Sequence, residues 1–359
     1  MLKNDNFSSK TKSVLIGLSG GIDSAVAAKL LMLAGFNVWG VYLHLWHENK
    51  KIILKRERQV KSVAQKIGLP HLMIVDAENL FKKYVIDYFV NELKNGRTPN
   101  PCVECNYYIK FKILSDLAQK LGFPYIATGH YAKIIKKKIG FEEFYKIVRA
   151  KDKNKDQSYF LWRLSQKQLK KIIFPLGDFD KQEVKKMARI WNLNFEKIKE
   201  SEDICFTNDL EKFIKNNLEV KEGLIVEACS NKILGKHAGL PLYTLGQRRN
   251  IKIPNAEPYY VIKKDIKNNK LIVVASSRKK ILTQKIVCLN KVNFVSEKPR
   301  LPLNCQVKLR YRADLIPATL YFKNSYYLSL KKKVFAPTPG QSVVFYKGNE
   351  LIGGGVIKK

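Results

Sequence analysis

The feature that most constrains the fold is a glycine-rich turn between a short apolar run and a helical stretch. Residues 13–18 are apolar and predict a buried strand, residues 19–24 read SGGIDS, and an alanine-rich helical stretch follows over 25–33. A strand that passes through glycines into a helix leaves backbone N–H groups and the positive end of the helix dipole facing one small volume. We therefore predict a phosphate-binding loop.

The side chains of this loop narrow its chemistry. Ser19 and Ser24 offer hydroxyls to phosphate oxygens, and Asp23 either holds Mg²⁺ or sets the loop geometry. The spacing fits neither the Gly-Lys-Ser/Thr loop of nucleotide-binding proteins nor the dinucleotide fingerprint. A strand–SGGxDS–helix unit resembles the pyrophosphatase-type loop (PP-loop) of ATP-dependent adenylating enzymes. The alternative is a tight strand-to-helix turn with a serine cap.

Short apolar runs and longer helical stretches alternate through the first third of the chain. The pattern predicts strands over residues 13–18, 38–43, 71–75 and 125–128, and helices over 23–33, 55–67, 78–94 and 107–121. Such alternation indicates an α/β fold, a parallel sheet covered on both faces, with ligands at the carboxyl ends of the strands. SGGIDS and Thr128-Gly129-His130 both follow strands, so we expect them to form two loops of one pocket.

The remaining chain is organised differently. Residues 133–150 predict a hairpin, helical segments follow over 157–192, residues 206–280 mix a helix with short strands, and six short strands after residue 281 suggest a small barrel. At 359 residues the chain is too long for one ordinary domain. We predict three domains, which are residues 1–205, 206–280 and 281–359.

Charge is the outstanding bulk property, because 66 Lys and Arg against 31 Asp and Glu give a formal net charge of +35. This surplus favours a polyanionic partner, nucleic acid ahead of a membrane. The competing explanation is a lysine-rich composition whose charges are simply solvated. The sequence contains no apolar run long enough for a transmembrane helix, and its first 12 residues are polar. We expect a cytoplasmic protein without a membrane partner.

Two cysteines three residues apart carry the second chemical signal. Cys102 and Cys105 lie in TPNPCVECN, where Pro99 and Pro101 predict a stiff loop, and a helical run begins near Tyr107. We therefore expect Cys105 at or just before a helix N-terminus, where the dipole lowers the pKa of a thiol.

A third cysteine, Cys205, closes the segment ESEDIC. Three interpretations compete: a redox dithiol, half of a zinc site, or a catalytic pair formed by Cys105 and Cys205. The dithiol lacks a Trp-Cys-x-x-Cys context, and the zinc site lacks its second half. Beside an adenylating loop, the cysteine pair indicates sulfur transfer. The remaining cysteines, at positions 229, 288 and 305, are predicted to be buried packing residues.

Seven motifs in one order extend this similarity over nearly the whole chain: SGGIDS, TPNPCVECNYYIKF, ATGHY, KDQSYFLWRL, SEDICF, YTLGQRR and VKLRYR. The ordered set resembles the bacterial tRNA-uridine 2-sulfurtransferases, which thiolate uridine 34, the wobble position of tRNAs for lysine, glutamate and glutamine. Related PP-loop enzymes share the first motif without the cysteine pair. The alternatives are another PP-loop RNA thiolase and a non-catalytic RNA-binding protein with a relic loop.

The resemblance implies a fold and a set of site residues. The fold is a parallel-sheet PP-loop domain, similar to adenine nucleotide alpha hydrolases, followed by a small mixed central domain and a C-terminal β-barrel. The implied ATP-binding residues are Gly17, Leu18, Ser19, Gly20, Gly21, Ile22, Asp23, Ser24, Leu43 and Gly129. Target-base and tRNA contacts are implied for Asn100, Pro101, Cys102, Lys155, Asp156, Gln157, Arg310 and Tyr311. Cys105 matches the nucleophile and Cys205 the persulfide carrier.

Two departures from the family pattern bear on mechanism. Leu43 stands where relatives often have Met, and Cys102 stands where many have Asp. A thiol of ordinary pKa is a poorer base than a carboxylate near neutrality, so a general-base role at Cys102 is in doubt. Conversely, Cys102, Cys105 and Cys205 offer the three thiolates that could hold a [4Fe-4S] cluster. The persulfide route and the cluster route both stay open.

The resemblance also implies ATP and Mg²⁺ as cofactors, a tRNA anticodon stem-loop and a sulfur-donor protein as partners, and we expect a monomer. If Arg310, Tyr311 and Arg312 alternate on a strand, the two arginines share one face, toward phosphate, and Tyr311 lies on the other. The alternative is a solvated strand with Tyr311 in the core. Residues 246–249 predict a basic turn. His130 is either catalytic or a hydrogen-bonded structural residue.

Overall fold

The computed structural model describes residues 12–193, 204–251, 253 and 257–358. Two parts of the sequence discussed above lie outside the described residues. They are residues 1–11 of the polar N-terminus and residues 200–203, the acidic part of the segment that ends at Cys205. In the described part of the first half of the chain, the strands are β1 (Ser13–Gly17), β2 (Asn37–His44), β3 (His71–Asp76), β4 (Tyr125–Thr128), β5 (Ala132–Ile139), β6 (Glu142–Arg149) and β7 (Ile172–Ile173). Five of them form a wholly parallel sheet in the order β3-β2-β1-β4-β7. This confirms the predicted α/β class.

The described α-helices are α1 (Ile22–Leu33), α2 (Lys50–Ile67), α3 (Glu78–Phe81), α4 (Asp87–Lys94), α5 (Pro101–Glu104), α6 (Phe111–Leu121), α7 (Gln166–Leu169), α8 (Lys181–Ile190) and α9 (Leu210–Asn217). Two π-helical segments, Lys82–Ile86 and Cys105–Lys110, join α3 to α4 and α5 to α6. Short 3₁₀ turns lie at Ser158–Phe160, Leu240–Leu242 and Ser276–Leu282. Within the described ranges, no helix is both long and apolar enough to cross a bilayer.

Alternation along β1 divides the core between the two faces of the parallel sheet. Val14 and Ile16 pack in one cluster with residues of α1, α2 and α8. Leu15 packs on the opposite face with residues of α6 and with Tyr346, which belongs to the C-terminal part of the chain. Both faces of the sheet are covered, as predicted, but the second face is covered jointly by helix α6 and by residues of the last domain.

A second sheet follows, built from β8 (Gly223–Glu227), β9 (Ile233–His237), β10 (Tyr259–Asp265) and β11 (Lys270–Ala275). Its order is β10-β11-β8-β9, with β8 and β11 parallel and the other pairs antiparallel. Buried Ile225, Val261, Leu271 and Val273 form its own small core. This is the mixed central unit that the sequence predicts.

The C-terminal strands are β12 (Thr283–Phe294), β13 (Leu303–Lys308), β14 (Ile316–Lys323), β15 (Ser325–Phe335), β16 (Ser342–Lys347) and β17 (Glu350–Ile357). They pair antiparallel in the order β12-β15-β14-β13-β16-β17, and β12 pairs again with β17. The sheet therefore closes on itself as a six-stranded barrel, filled by side chains such as Leu320, Leu328 and Phe345. The predicted C-terminal barrel is confirmed.

The β5–β6 hairpin is present as predicted, but its place was not foreseen. Leu351 and Glu350 of β17 pair with Ile147 and Val148 of β6, so the hairpin extends the barrel sheet. A pairing between strands some two hundred residues apart leaves no mark in local sequence patterns. The hairpin thereby joins the first domain to the last.

One predicted barrel strand, over residues 305–312, is wrong in its second half. β13 ends at Lys308, and the Ala313 N–H donates to the Arg310 carbonyl at 3.1 Å. Residues 310–313 therefore form a turn, and the pairing of β13 ends at Val307 with β14 and at Lys308 with β16. The expected alternation of Arg310, Tyr311 and Arg312 on one strand does not exist.

Candidate active site

The glycine-rich loop lies at the carboxyl end of β1, where only glycine fits one position. Gly20 has a φ of +77°, and a Cβ there would lie 2.8 Å from Val60 Cγ2. Gln59 Nε2 donates to the Gly20 carbonyl at 2.7 Å. Helix α2 thus holds the loop in a left-handed conformation that a side chain would strain and overcrowd.

Hydrogen bonds within the loop join its two serines. The Ser19 N–H donates to Ser24 Oγ at 3.1 Å, and Ser24 Oγ donates to the Gly21 carbonyl at 3.0 Å. Helix α1 begins after Gly21 with no side-chain hydrogen bond to its N-terminus. Its first N–H groups are thereby left for an anionic ligand, and exposed Ser19 lies at the rim.

The loop after β4 lies directly against the loop after β1. A Cβ on Gly129 would be 2.8 Å from the Ser24 nitrogen, so the two backbones are in contact. This follows from β1 and β4 being neighbours in the sheet, at the point where its strand order reverses. Gly17 pairs with Thr128 between them, and the Leu18 N–H donates to Val41 of β2 at 2.8 Å. Half-buried Leu43 lies at the carboxyl end of that strand.

Two side chains that the sequence analysis missed hold Asp23. Lys181 Nζ donates to both carboxylate oxygens, at 2.7 and 2.9 Å, and the Tyr131 hydroxyl donates to Oδ1 at 2.8 Å. Lys181 is the first residue of α8, after an Asp180–Glu183 capping box. That box signals a helix start in the sequence. What it does not signal is that α8 packs beside α1, which brings a buried lysine to the loop.

The cysteine segment is helical earlier than predicted. α5 begins at Pro101, in the first turn, and the helix continues through the π-helical segment Cys105–Lys110 into α6. Proline is favourable there because its missing N–H would have no partner in the first turn. Cys102 is therefore in the first turn, and Cys105 lies inside the helix rather than at its start. The expected stiff loop up to Tyr107 is wrong.

Burial controls the chemistry of Cys105. The residue is 6% exposed, and desolvation raises the pKa of its thiol to about 12. The positive charge of Lys110 opposes this shift, while Cys205 and Cys102 reinforce it. The expectation of a pKa lowered by the helix dipole is wrong for this state, because the desolvation of a buried thiolate outweighs the dipole.

Cys205 and Cys102 come close enough to Cys105 to influence its ionisation. Cys205 is exposed, and Arg56 Nη1 donates to its carbonyl at 3.3 Å. Protein atoms around its thiol nevertheless raise the pKa, against the charges of Lys110 and Arg56. Folding thus brings together two cysteine segments a hundred residues apart in the sequence, as the catalytic-pair interpretation requires.

The same thiols do not form a metal site. Among the residues that the structure describes, which include all six cysteines, no group of three or more His, Cys, Asp or Glu side chains is arranged to hold a metal ion. Cys102, Cys105 and Cys205 therefore lack the geometry of cluster ligands, and the [4Fe-4S] route has no support here.

His130 is a structural residue. It is 8% exposed, and its Nδ1 shares a 2.8 Å hydrogen bond with Thr128 Oγ1. Burial lowers the pKa of the imidazole well below its ordinary value, and the charge of Lys110 lowers it further. His130 is therefore a neutral, packed side chain beside the Gly129 turn.

Asp156 lies in the interior rather than on an RNA-facing surface. It is 2% exposed, and its carboxylate accepts hydrogen bonds from Arg149 Nε at 2.9 Å and from the Ala150 N–H at 3.1 Å. Ser158 Oγ donates to the same carboxylate and shares a 3.1 Å hydrogen bond with the Tyr346 hydroxyl in the barrel. This residue therefore braces the contact between the first and last domains.

The neighbours of Asp156 are less buried. Lys155 and Gln157 are partly exposed, and Gln157 Oε1 accepts a hydrogen bond from the Tyr131 N–H at 3.1 Å. In the C-terminal barrel, on the other side of this contact, Arg310 Nη2 donates to the Ala336 carbonyl and to Thr338 Oγ1 at 3.0 and 2.9 Å. Tyr311 packs on Phe160 with ring centroids 4.5 Å apart.

The other sequence signals have mixed outcomes. Cys305 is buried as predicted, but Cys288 is only partly buried and Cys229 is exposed. The predicted turn at residues 246–249 overlaps an observed one, since the Gln247 N–H donates to the Thr244 carbonyl at 3.0 Å, and Arg248 and Arg249 are exposed.

Family models match almost the whole chain. Residues 12–209 match the tRNA methyl transferase HUP domain, residues 211–275 the tRNA methyl transferase PRC-barrel domain, and residues 284–357 the Aminomethyltransferase beta-barrel domain.

Curated relatives match over nearly the full length of the chain. The tRNA-specific 2-thiouridylase MnmA of Carboxydothermus hydrogenoformans is 38% identical over 97% of this chain and 98% of its own. The protein of the same name from Treponema denticola is 40% identical over 96% and 97% of the two chains. Among solved structures, NMN synthetase from Francisella tularensis overlaps 54% of this chain and 67% of its own, with 13% identity and a TM-score of 0.33.

Proposed function

Since the chain belongs to the tRNA-specific 2-thiouridylase family, we propose that it catalyses the ATP-dependent 2-thiolation of uridine 34 in tRNAs for lysine, glutamate and glutamine. The observation that carries the proposal is the contact between the cysteine helix and the loop after β4. Phe111, which follows the π-helical segment that begins at Cys105, packs on His130 with ring centroids 5.7 Å apart, and His130 adjoins Gly129. Cys105 and Phe206 share one buried cluster, and this packing supports a single site for the thiols and the nucleotide.

ATP activates the base in the first step. The C2 carbonyl of uracil is a poor electrophile, and its oxygen is a poor leaving group. When that oxygen attacks the α-phosphorus of ATP, pyrophosphate departs and C2 carries an adenylate. The SGGIDS loop and the N-terminus of α1 would stabilise the phosphates, together with the Mg²⁺ that accompanies ATP. Lys181, beside the loop, adds a buried positive charge.

Sulfur arrives in the second step as a persulfide on Cys205. Its terminal sulfur attacks C2, AMP leaves, and a disulfide joins the base to Cys205. The Cys105 thiolate then attacks Cys205 Sγ, so that 2-thiouridine leaves and a Cys105–Cys205 disulfide remains. In a variant of this step, Cys105 first releases hydrosulfide, which attacks C2. A dithiol reductant restores both cysteines, and a sulfur-donor protein recharges Cys205.

The two thiols have roles that fit their surroundings. Cys205 is exposed, which suits a residue that must meet a donor protein. Cys105 is buried and protonated at neutral pH in this state, which protects it from oxidation until the base enters. Cys102 lies in the first turn of the same helix and, with Asn100 and Pro101, would lie beside the target base. No step of this mechanism requires Cys102 to act as a general base.

The tRNA would be held mainly by charge. A net charge of +35 suits a phosphate backbone, and exposed Arg248, Arg249 and Arg312 are candidates for contacts with it. Lys155, Gln157, Arg310 and Tyr311 are proposed tRNA neighbours, whereas Asp156 acts by folding this motif. The anticodon loop must present U34 splayed out of its stack. We also propose a monomer with the domain limits given above.

The test is an anaerobic sulfur-transfer assay in which polysulfide first transfers sulfane sulfur to the Cys205 thiolate, the excess is removed, and Mg-ATP and unmodified tRNA transcript for lysine are then added. A parallel reaction uses sulfide and protein after iron–sulfur reconstitution, and 2-thiouridine is read by mass spectrometry in both. Product should form without iron and should disappear in Cys105→Ser and Cys205→Ser. Cys229→Ser is the matched control, since Cys229 is also exposed but lies in the central unit. Product only after iron–sulfur reconstitution would overturn the persulfide route. Absence of thiouridine under both conditions would overturn the function.

A further inference from the structure

The segment that enters the cysteine helix is held by the C-terminal barrel. The Thr98 N–H donates to the Pro339 carbonyl at 2.9 Å. Gln341 Nε2 donates to the carbonyls of Thr98 and Pro99, at 3.0 and 3.1 Å. Three hydrogen bonds therefore join residues 98–99 to residues 339–341, across 240 residues of sequence.

The sequence of the segment explains why a side chain from elsewhere is needed. Pro99 and Pro101 have no N–H, so this stretch has few donors of its own with which to form a turn. Pro99 is buried, and its carbonyl needs a partner in the interior. The Gln341 amide satisfies two successive carbonyls with one group.

Close approach of the two backbones makes the contact specific. Gly340 has a φ of +91°, and a Cβ there would lie 2.8 Å from the Thr98 carbonyl oxygen. The barrel chain thus touches the cysteine segment, and the position admits only glycine.

Residues 336–342, which we call the barrel strap, are anchored on both sides of this contact. Arg310 bonds to Ala336 and Thr338 before it, and the Ser342 carbonyl after it accepts a 2.7 Å hydrogen bond from the Tyr159 hydroxyl. The strap is therefore a fixed part of the interface and not a loose loop.

We propose that Gln341 is a positioning residue for the cysteines. Through the carbonyls of Thr98 and Pro99, it fixes the first turn of the helix that carries Cys102 and Cys105. The barrel then contributes to the reaction by fixing the positions of the Cys102 and Cys105 thiols relative to the activated base, in addition to any contact with tRNA. The expected effect of Gln341 on the rate of thiolation rests on the proposed function, whereas its effect on the position of the cysteine helix rests on the geometry alone.

The first test replaces the amide with a group of similar size that cannot donate, Gln341→Met. Gln284→Met is the matched control, because Gln284 is an exposed residue of the same barrel. The rate at which iodoacetamide alkylates Cys105 is read for each cysteine by mass spectrometry. We expect an increase of about tenfold in Gln341→Met, as the segment opens more often, with no change at exposed Cys229.

A second pair of variants acts on the same contact by a different route. Gly340→Ala drives a methyl group toward the Thr98 carbonyl, whereas Gly348→Ala, with a φ of +60°, meets open space. Both substitutions strain a left-handed residue, so only the difference between them reports on the contact. Faster alkylation of Cys105 in Gly340→Ala than in Gly348→Ala is the expected result.

Kinetics completes the test. For Gln341→Met, kcat for thiouridine formation should fall about tenfold while the KM for tRNA stays close to that of Gln284→Met. Unchanged alkylation of Cys105 in both Gln341→Met and Gly340→Ala would overturn the positioning role, whatever the activity. If the unsubstituted protein makes no thiouridine while Cys105 is alkylated faster in the two variants, the proposed function is overturned and the contact between Gln341 and the cysteine segment is not.

Discussion

Lys181 donates to both carboxylate oxygens of Asp23, at 2.7 and 2.9 Å, and so joins the start of helix α8 to the phosphate loop. The Lys181 side chain is 8% exposed and that of Asp23 is 34% exposed. A buried ammonium beside a phosphate-binding loop is paired with a carboxylate in this state. Because phosphate oxygens attract the same cation, ATP binding would place the α8 lysine between two anions.

Asp23→Asn should destabilise the protein, because it leaves the buried Lys181 charge without its carboxylate. Breaking a fully buried pair costs about 3–5 kcal/mol, and the partial exposure of Asp23 reduces our expectation to about 1–3 kcal/mol. Urea unfolding measures the change. Asp178→Asn is the control, since the Lys133–Asp178 pair is exposed, and its loss should cost less than about 1 kcal/mol. Equal unfolding midpoints for the two variants would contradict the prediction.

Asp156→Asn should lower stability more than it lowers tRNA affinity. The side chains of Arg149 and Asp156 are 12% and 1% exposed, so removing the carboxylate leaves a nearly buried guanidinium unpaired. We expect a loss of about 3–5 kcal/mol in the free energy of unfolding. Asp314→Asn, at an exposed position, is the matched control. A variant with native stability and a weakened affinity for tRNA would show instead that Asp156 contacts RNA.

Lys110→Met should shift the pH dependence of thiolation to higher pH. Lys110 lowers the pKa of the Cys105 and Cys205 thiols, so its removal raises both pKa values and reduces the thiolate fraction at any pH below them. In that range the rate falls roughly tenfold for each unit by which the pKa rises. Lys112→Met is the control, because Lys112 is exposed on the same helix and pairs with Asp116. Superimposable pH–rate curves for the two variants would refute this role.

Gly129→Ala should impair the ATP-dependent step. The added Cβ would lie 2.8 Å from the Ser24 nitrogen, where backbone meets backbone and neither side chain can move aside. A displacement of the loop by an ångström can cost about 10²-fold in rate. Pyrophosphate release in the presence of tRNA measures the effect. Gly122→Ala, whose Cβ enters open space, should lose some stability and keep its rate.

Local pattern was sufficient for most of the elements. Periodicity and turn residues predict β1 to β4 and the β5–β6 hairpin to within one residue, and the ends of the six barrel strands to within five, because buried faces impose periods of two and 3.6 on the sequence. The errors arise where a second effect intervenes. Pro101 predicts a break in the helix but is favourable in the first turn, and β13 ends at Lys308 because the chain turns at residues 310–313.

Residue types at short, fixed spacings were enough to locate the glycine-rich loop, the three kinds of domain and the cysteines that are proposed to carry sulfur. Four other features depend on the tertiary fold. It buried Cys105 and raised its pKa, supplied Lys181 to Asp23, turned Asp156 inward, and brought Gln341 to the carbonyls of Thr98 and Pro99. These facts depend on desolvation and on contacts between residues far apart in the chain, which no local pattern encodes.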